Sequence, residues 1–596
     1  MREFEVPATY TIPDDASMAN TVFQHAKESP NFVPFKIPVA GGGWTDVTSA
    51  QFAEKVTAVA KGLIASGVEA GDRVAIMATT RFEWVLLDYA IWTAGGCTVA
   101  IYESSAAEQA KWILEDSGTV LIVVEAPRHF DTVAEVADSL PDLRETLQID
   151  SGAIDELISR GKEVSDETVE SRRAKVTASS PATLIYTSGT TGRPKGVQLT
   201  HSNLYAESAA VRIALKNLFT EGNKTLMFLP LAHVFARAIS VGALDAKVTI
   251  AHTSDWSTLV EQFGAFQPDF ILSVPRVFEK VFNSAKQKAH DGGKGKIFDA
   301  AAATAIAWSE AQDTGGAGIG LKVKHAVFDK LVYSKLKAAL GGQCKGAVSG
   351  GGPLGARLGH FFRGVGVTIY EGYGLTETSA AVTVNTPDNI KVGSVGQPIG
   401  GHGAKVADDG ELLVRGPVVF SGYWKNDEAT AESFVDGWFR TGDLGAIDEN
   451  GFIAITGRKK ELIVTAAGKN VSPAQLEDSL RAHPLISQTM VVGDGQPFIG
   501  ALITLDPESL PGWKERNGLP ADTSVADLAK NPDLIAEIEA AVAETNKKVS
   551  KAEQIKKIRI LDVDWTQEGG ELTPKMSLKR NIVLKQYAGE VEAIYS

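Results

Sequence analysis

Residues 48–77 read TSAQFAEKVTAVAKGLIASGVEAGDRVAIM. Thr48 and Gln51 have the spacing of a capping box, in which hydroxyl and amide each satisfy a backbone N–H of the first helical turn. Phe52, Val56, Val59, Ala60, Leu63 and Ile64 then recur at helical spacing and make one apolar face. Gly67 supplies a left-handed stop. After Gly71 and Asp72, Arg73–Met77 is a short apolar run that reads as a buried strand. The same alternation continues outward: a helix near 81–94, a strand over 98–102, a helix over 106–116 and a strand over 119–124. Strands alternating with helices predict an α/β fold with a parallel sheet covered on both faces.

At 596 residues the chain exceeds what one core can serve. The pattern divides it into a large domain over 1–456, built of wound mixed and parallel sheets covered by helices, and a small α+β domain over 457–596. The small domain is expected to carry two amphipathic helices, one near 533–549. Residues 151–178 are polar and read as a surface excursion. Residues 287–320 mix lysine and glycine with an alanine-rich run and read as a peripheral helical insertion.

With 59 Lys and Arg against 73 Asp and Glu, the formal charge is −14, which argues against broad nucleic-acid binding. Cys97 and Cys344 are the only cysteines. They leave room for one disulfide, but two lone cysteines in a chain this long fit a reducing cytosol better. No Cys/His cluster points to zinc. The segment from Trp84 to Tyr102 is the most membrane-like. Asp88 and the pair Gly95–Gly96 make it a helix followed by a buried strand.

Four regions carry chemistry. Leu184–Gly196 reads LIYTSGTTGRPKG: an apolar strand runs into a loop with Thr187, Ser188, Thr190 and Thr191, glycines 189, 192 and 196, and Lys195. Glycines let backbone N–H groups close on an anion, hydroxyls donate to phosphate oxygens, and the lysine adds charge. The spacing is not that of a Walker loop. Ile369–Thr378 reads IYEGYGLTET, where Tyr373 can face a purine, Thr376 can donate to a phosphate and Glu377 can hold Mg²⁺. Upstream, Ser349–Pro353 offers a flat backbone against which a base can lie. Asp436–Gly445 reads DGWFRTGDLG and is followed by TGRKKEL over 456–462; Asp443 is of the type that holds ribose hydroxyls. Near the end, Pro574 stiffens the turn that presents Lys575.

In this order, the motifs resemble the adenylate-forming (AMP-binding) superfamily of acyl-CoA synthetases, luciferases and peptide-synthetase adenylation domains. The likeness runs from about residue 44 to 580. Asp436–Lys460, LPLAHVF over 229–235, SVPRVFEK over 273–280 and the insertion after it are similar to the bacterial long-chain fatty acid–CoA ligase branch.

That resemblance implies an ATP-dependent ligase that makes an acyl-adenylate and passes the acyl group to CoA. Thr187, Ser188, Gly189, Thr190, Thr191, Gly192 and Lys195 would wrap the β- and γ-phosphates. Gly351, Gly352, Pro353, Glu371, Gly372, Tyr373 and Gly374 would line the AMP site, with Tyr373 near adenine. Thr376 would meet the α-phosphate, Glu377 would hold Mg²⁺, and Asp443 with Arg458 would hold the ribose. His233 would stand between the acyl pocket and the CoA approach. Lys460 would be the hinge of a mobile small domain, Gly468 would line the pantetheine channel after rotation, and Lys575, Glu377, Thr187 and His233 would be the catalytic residues. The partners implied are fatty acid, ATP and CoA, in the cytoplasm, with room for peripheral contact at the inner face of the membrane. A fatty-acyl-AMP ligase that loads a carrier protein, a luciferase-like oxygenase and a non-catalytic nucleotide-binding scaffold remain as alternatives. One position departs from the pattern. Where some long-chain enzymes place a gating tryptophan four residues after the histidine, this chain has Arg237. Either the gate is absent or the arginine draws a carboxylate or a lipid headgroup.

Overall fold

A computed structural model describes residues 1–39, 41–187, 193–573 and 576–596. The opening stretch folds as its spacing predicts. Thr48 and Gln51 form the reciprocal capping box on the helix Ser49–Ala65, whose apolar face is buried, and Gly67 takes a φ of +83° after it. Arg73–Met77, Cys97–Ile101 and Thr119–Val124 are strands buried on both faces. Continuous apolar runs are what strands covered by helices on both sides require.

Two large mixed sheets share one apolar core. In the seven-stranded sheet the parallel strands Pro181–Thr187, Cys97–Ile101, Arg73–Met77, Thr119–Val124 and Glu145–Gln148 are neighbours, and Lys195–Thr200 returns antiparallel at one side. In the nine-stranded sheet Thr368–Tyr373, Gly346–Ser349, Phe270–Ser273, Lys224–Met227, Thr249–His252 and Phe35–Pro38 run parallel. A third, six-stranded antiparallel sheet ends in the pair Trp438–Ile447 and Ile453–Arg458. Beyond it, two separate apolar clusters form around the strands Ile486–Val492, Ile499–Leu505 and Ile555–Ile560, making the smaller domain. Among the described residues no apolar cluster spans both domains. The predicted helix near 533–549 is Pro532–Asn546, capped by Asn531. The Trp84–Tyr102 segment holds most of the helix Phe82–Thr93 and then the strand Cys97–Ile101, and no described helix is long and apolar enough to cross a membrane. Both cysteines are free and buried.

Two expectations are corrected. Residues 151–178 hold the helices Ala153–Arg160 and Asp166–Arg173, and the first buries Leu157 in the main core against the helix Ser49–Ala65. The insertion is peripheral only in part. The alanine-rich helix Gly295–Asp313 buries Phe298, Ala301 and Ala305 and packs on the helix Ala356–Val365. Gly364 lies so close there that a Cβ would fall 2.0 Å from the Ala305 carbonyl oxygen. Small residues let two helix axes approach this closely, so the alanines mark a packing face. The helix Ile319–Phe328 buries no residue and is the peripheral portion.

The helix Pro275–Asp291 of the large domain faces the small domain through charges. Arg276 stands 3.8 Å from Asp506, Lys280 2.9 Å from Glu508, and Asp291 2.6 Å from Arg516.

Three of the buried histidines bear on the stability of the fold in acid. Burial pushes His201, His252 and His402 down to about 3, about 3 and about 4. His201 accepts the Met18 N–H at 3.1 Å, and the His402 ring accepts the Val418 N–H at 3.2 Å. His252 stacks on Phe35 with neither ring nitrogen hydrogen-bonded among the described residues. The unfolded chain takes up protons on these side chains below about pH 6.5 while the folded chain stays neutral. Their contribution is therefore present above that pH and is lost as pH falls towards 3–4. The denaturation midpoint should drop steeply between pH 6.5 and 4.5, and His252→Phe should flatten the drop. A flat wild-type profile would contradict this.

Candidate active site

A single cleft of about 2960 Å³ opens beyond the carboxyl ends of strands from both large sheets and extends between the two domains. Open α/β sheets hold ligands at this end, where connections diverge to opposite faces. Thr187 ends one strand and pairs with Lys195 across the hairpin, so both ends of the hydroxyl-rich loop are fixed at the cleft. Trp112 steadies the return by donating its indole N–H to the Pro194 carbonyl at 2.8 Å. Lys195 Nζ lies 5.1 Å from the ring centre of Tyr423. Ser188, Gly189, Thr190, Thr191 and Gly192 lie outside the described residues, as does Lys575.

Strand pairing brings Asp443 opposite Arg458. The Asp443 carboxylate, buried except for an edge, accepts the Tyr373 hydroxyl at 2.6 Å and lies 3.3 Å from Arg458 Nε. Burial, and then the Asp443 charge, raise the Tyr373 phenol well above its ordinary value, so it stays a donor. Two residues 70 positions apart thus share one polar corner of the cleft.

Gly351, Gly352 and Pro353 line the cleft, and the segment is tied down from below: Glu371 accepts the Leu354 N–H at 2.9 Å. Burial pushes Glu371 up to about 7. Glu371 supports the glycine segment from the next strand, while Gly372, Tyr373 and Gly374 face the opening. Gly374 has no room for a side chain, since a Cβ would lie 1.4 Å from the Ala380 carbonyl oxygen. The chain folds back tightly there, through left-handed Ser379, and presents Thr376 and Glu377 to the cleft. Glu377 accepts the Tyr423 hydroxyl at 2.9 Å, and its backbone carbonyl accepts the Phe420 N–H at 2.8 Å. Tyr423, whose phenol is raised by burial and by Glu377, is a site residue that sequence reading missed. It lies 46 positions from its partner, and no local pattern announces the contact.

His233 caps the helix Val234–Asp245, its Nδ1 accepting the Phe235 N–H at 3.2 Å, and lines the cleft. Past it the wall turns apolar, with Val211, Leu215, Ile239, Val348, Val384 and Val395. Lys460 sits in the short turn Lys459–Glu461 between the two domains and borders the cleft. Its neighbour Lys459 is tied to Asp409 at 2.6 Å and Glu411 at 3.1 Å. Gly468, with a φ of +75°, is in the turn joining Ile463–Val464 to Asn470–Val471, away from the cleft lining in this arrangement.

Arg237 is not a lure for carboxylates or headgroups. It is buried and absent from the cleft wall. Its guanidinium engages both oxygens of Asp88, one at 2.8 Å, and donates to Thr183 Oγ1. Trp84 and Trp92 each place a ring centre 5.2 Å from it. A helix turn carries its side chain towards the sheet rather than the opening, and the neighbouring helix Phe82–Thr93 supplies the counter-charge.

The sequence matches the AMP-binding enzyme family over residues 22–424 and the AMP-binding enzyme C-terminal domain over 460–596. The chain belongs to the AMP-binding enzyme family. Among its AMP-binding relatives, long-chain-fatty-acid–CoA ligase FadD15 of Mycobacterium bovis is 57% identical over 599 aligned positions, covering all of both chains. Long-chain-fatty-acid–CoA ligase ACSBG2 of Xenopus laevis is 31% identical over 93% of this chain and 80% of its own. The crystal structure of an anthranilate CoA ligase, AuaEII, in complex with anthranoyl-AMP superposes with a TM-score of 0.73 at 19% identity, covering 98% of this chain and 99% of that one. At that identity the match shows the AMP-binding fold alone.

Proposed function

We propose that the protein is an ATP-dependent long-chain fatty acid–CoA ligase, converting fatty acid, ATP and CoA to acyl-CoA, AMP and diphosphate. The observation that carries this reading is one cleft joining the ends of a hydroxyl-rich loop, the Tyr373–Asp443–Arg458 corner and an apolar wall. It occurs in a chain 57% identical end to end to a protein named for this activity.

A carboxylate is a poor acyl donor because its leaving group would be oxide. Attack of the carboxylate oxygen on the α-phosphorus of ATP expels diphosphate and leaves an acyl-adenylate, whose leaving group is AMP. The CoA thiol then attacks the acyl carbon, losing its proton as AMP departs. In the first step both reactants are anions, so fixed positive charge and donors must face the phosphates. Lys195 and the loop over 187–192 would take the outer phosphates, Thr376 the α-phosphate, and Asp443 with Arg458 the ribose. Tyr373 and the segment Gly351, Gly352 and Pro353 would enclose adenine, with Lys575 brought in for this step. Glu377 fits Mg²⁺ as a single carboxylate with an adjacent donor. Among the described residues there is no group of three or more candidate ligands, and Mg²⁺ commonly pairs one or two carboxylates with substrate phosphates. When bound, Mg²⁺ would neutralise phosphate charge. We place the domain boundary at 456/457, with Lys460 as the hinge about which the small domain turns to admit CoA past His233 and Gly468.

The test is turnover with ATP, CoA and carboxylates from two to twenty-four carbons. Each methylene buried along the apolar wall contributes about 0.8 kcal/mol, so kcat/KM should peak at roughly twelve to twenty carbons. Best turnover with acetate or an aryl acid would overturn the substrate class. Adenylate that moves only to a carrier protein would overturn the acceptor.

A further inference from the structure

The exposed large apolar side chains include four at a spacing of four residues on one element. Ile319, Val323, Val327 and Leu331 are 82%, 60%, 49% and 55% exposed. They lie on the helix Ile319–Phe328 and its continuation through the π-turn Asp329–Tyr333. Residues three or four apart share a helix face, and from 319 to 331 this row extends about 18 Å at 1.5 Å per residue. The opposite side already anchors the element. The ring of His325 stacks on Trp308 at 4.2 Å and its Nε2–H donates to the Gly364 carbonyl at 2.6 Å. Tyr333 donates to the Ala301 carbonyl at 2.7 Å, and Phe328 and Val332 pack on the main core. The outer row therefore contributes nothing to holding the helix in place, and a soluble surface does not ordinarily align such residues without a partner.

Charge selects the partner. Lys322, Lys324, Lys330 and Lys335 are exposed beside the row, and none makes an ion pair among the described residues. The nearby acid, Asp329, is taken by Lys337 at 2.8 Å. This cationic shoulder stands on a chain whose formal charge is −14. Two copies meeting through the row would bring lysines against lysines. A bilayer bearing anionic headgroups receives both features at once, with apolar side chains entering the acyl boundary and lysines at the headgroups. We propose that Ile319–Leu331 is a docking surface for an anionic lipid bilayer, laying the helix in the interface plane. This goes beyond the ligase reading and does not depend on it.

The test uses the full chain with phosphatidylcholine vesicles, with and without phosphatidylglycerol, followed by sedimentation at low and high salt. Binding should require phosphatidylglycerol, weaken at high salt and fall about fivefold for each of Lys322, Lys324 and Lys330 changed to Gln. Val323→Ser/Val327→Ser should lower partitioning on the order of 100-fold, with circular dichroism and the urea midpoint unchanged. Equal binding by wild type and the valine variant, or no wild-type binding to anionic vesicles, overturns the proposal. So does a wild-type dimer that this variant dissolves while vesicle binding is unaffected, since a second copy would then be the occupant. The ligase reading is tested separately by turnover in detergent-free solution, so either can fail alone.

Discussion

Glu377→Ala should lower the rate of acyl-adenylate formation by on the order of 10²- to 10⁴-fold, seen as loss of ATP–pyrophosphate exchange. The carboxylate stands in a cleft where, on the ligase reading, two anions would meet, at the end of a fold-back so tight that Gly374 has no room for a side chain. Its orientation is set by the Tyr423 hydroxyl and by the backbone bond to Phe420. Tyr423→Phe keeps the charge and removes only that orientation, so its loss should be about tenfold, the worth of one hydrogen bond. Thioester formation from supplied acyl-adenylate and CoA involves no phosphoryl transfer and should survive in both variants. Near-normal exchange by folded Glu377→Ala would remove this residue from the chemistry.

Arg237→Ala should destabilise the protein by about 3–5 kcal/mol while leaving the preferred chain length unchanged. Removing one member of a buried ion pair strands the other charge. Here that is Asp88, whose oxygens, among the described residues, otherwise keep only the Thr98 hydroxyl at 2.7 Å. The double change Asp88→Leu/Arg237→Met removes both charges and should recover much of the loss, because the desolvation cost goes with them. The check is the urea midpoint of the three proteins beside their activity across the carboxylate series. A shift in chain-length optimum at unchanged stability would return Arg237 to the acyl path.

These two residues show where sequence reading stops. The capping box at Thr48, the helix face that follows and the strand after Asp72 are local patterns with local causes, so they were legible from spacing alone. The order of the chemical motifs was legible too, because each is a contiguous stretch. Arg237 follows an interpretable motif, yet its partner lies 149 positions away, and nothing nearby says which way the helix turns it. Tyr423 is invisible for the same reason, since its importance lies in a hydroxyl aimed at Glu377. The alanines over 300–311 misled because small residues suit both a solvated helix and a close helix crossing. Only Gly364, more than fifty positions on, decides between them.

The charged contact along Pro275–Asp291 has a mechanical consequence. A joint sealed by apolar surface must expose that surface each time it opens, a cost that grows with area. Lys280 and Asp291 instead meet partners that water can replace, and exposed pairs are worth about 0.2–1 kcal/mol each; the more enclosed Arg276–Asp506 pair is long, at 3.8 Å. Such a seam is like a ratchet pawl with a light spring: it holds one setting, and would yield readily if the small domain turns about Lys460 as proposed. Because surface ion pairs stabilise less as salt rises, ionic strength should act as a throttle on the joint. Small-angle scattering across a salt series should show the two lobes separating more readily as salt rises, and a profile indifferent to salt would mean that something other than these charges holds the seam.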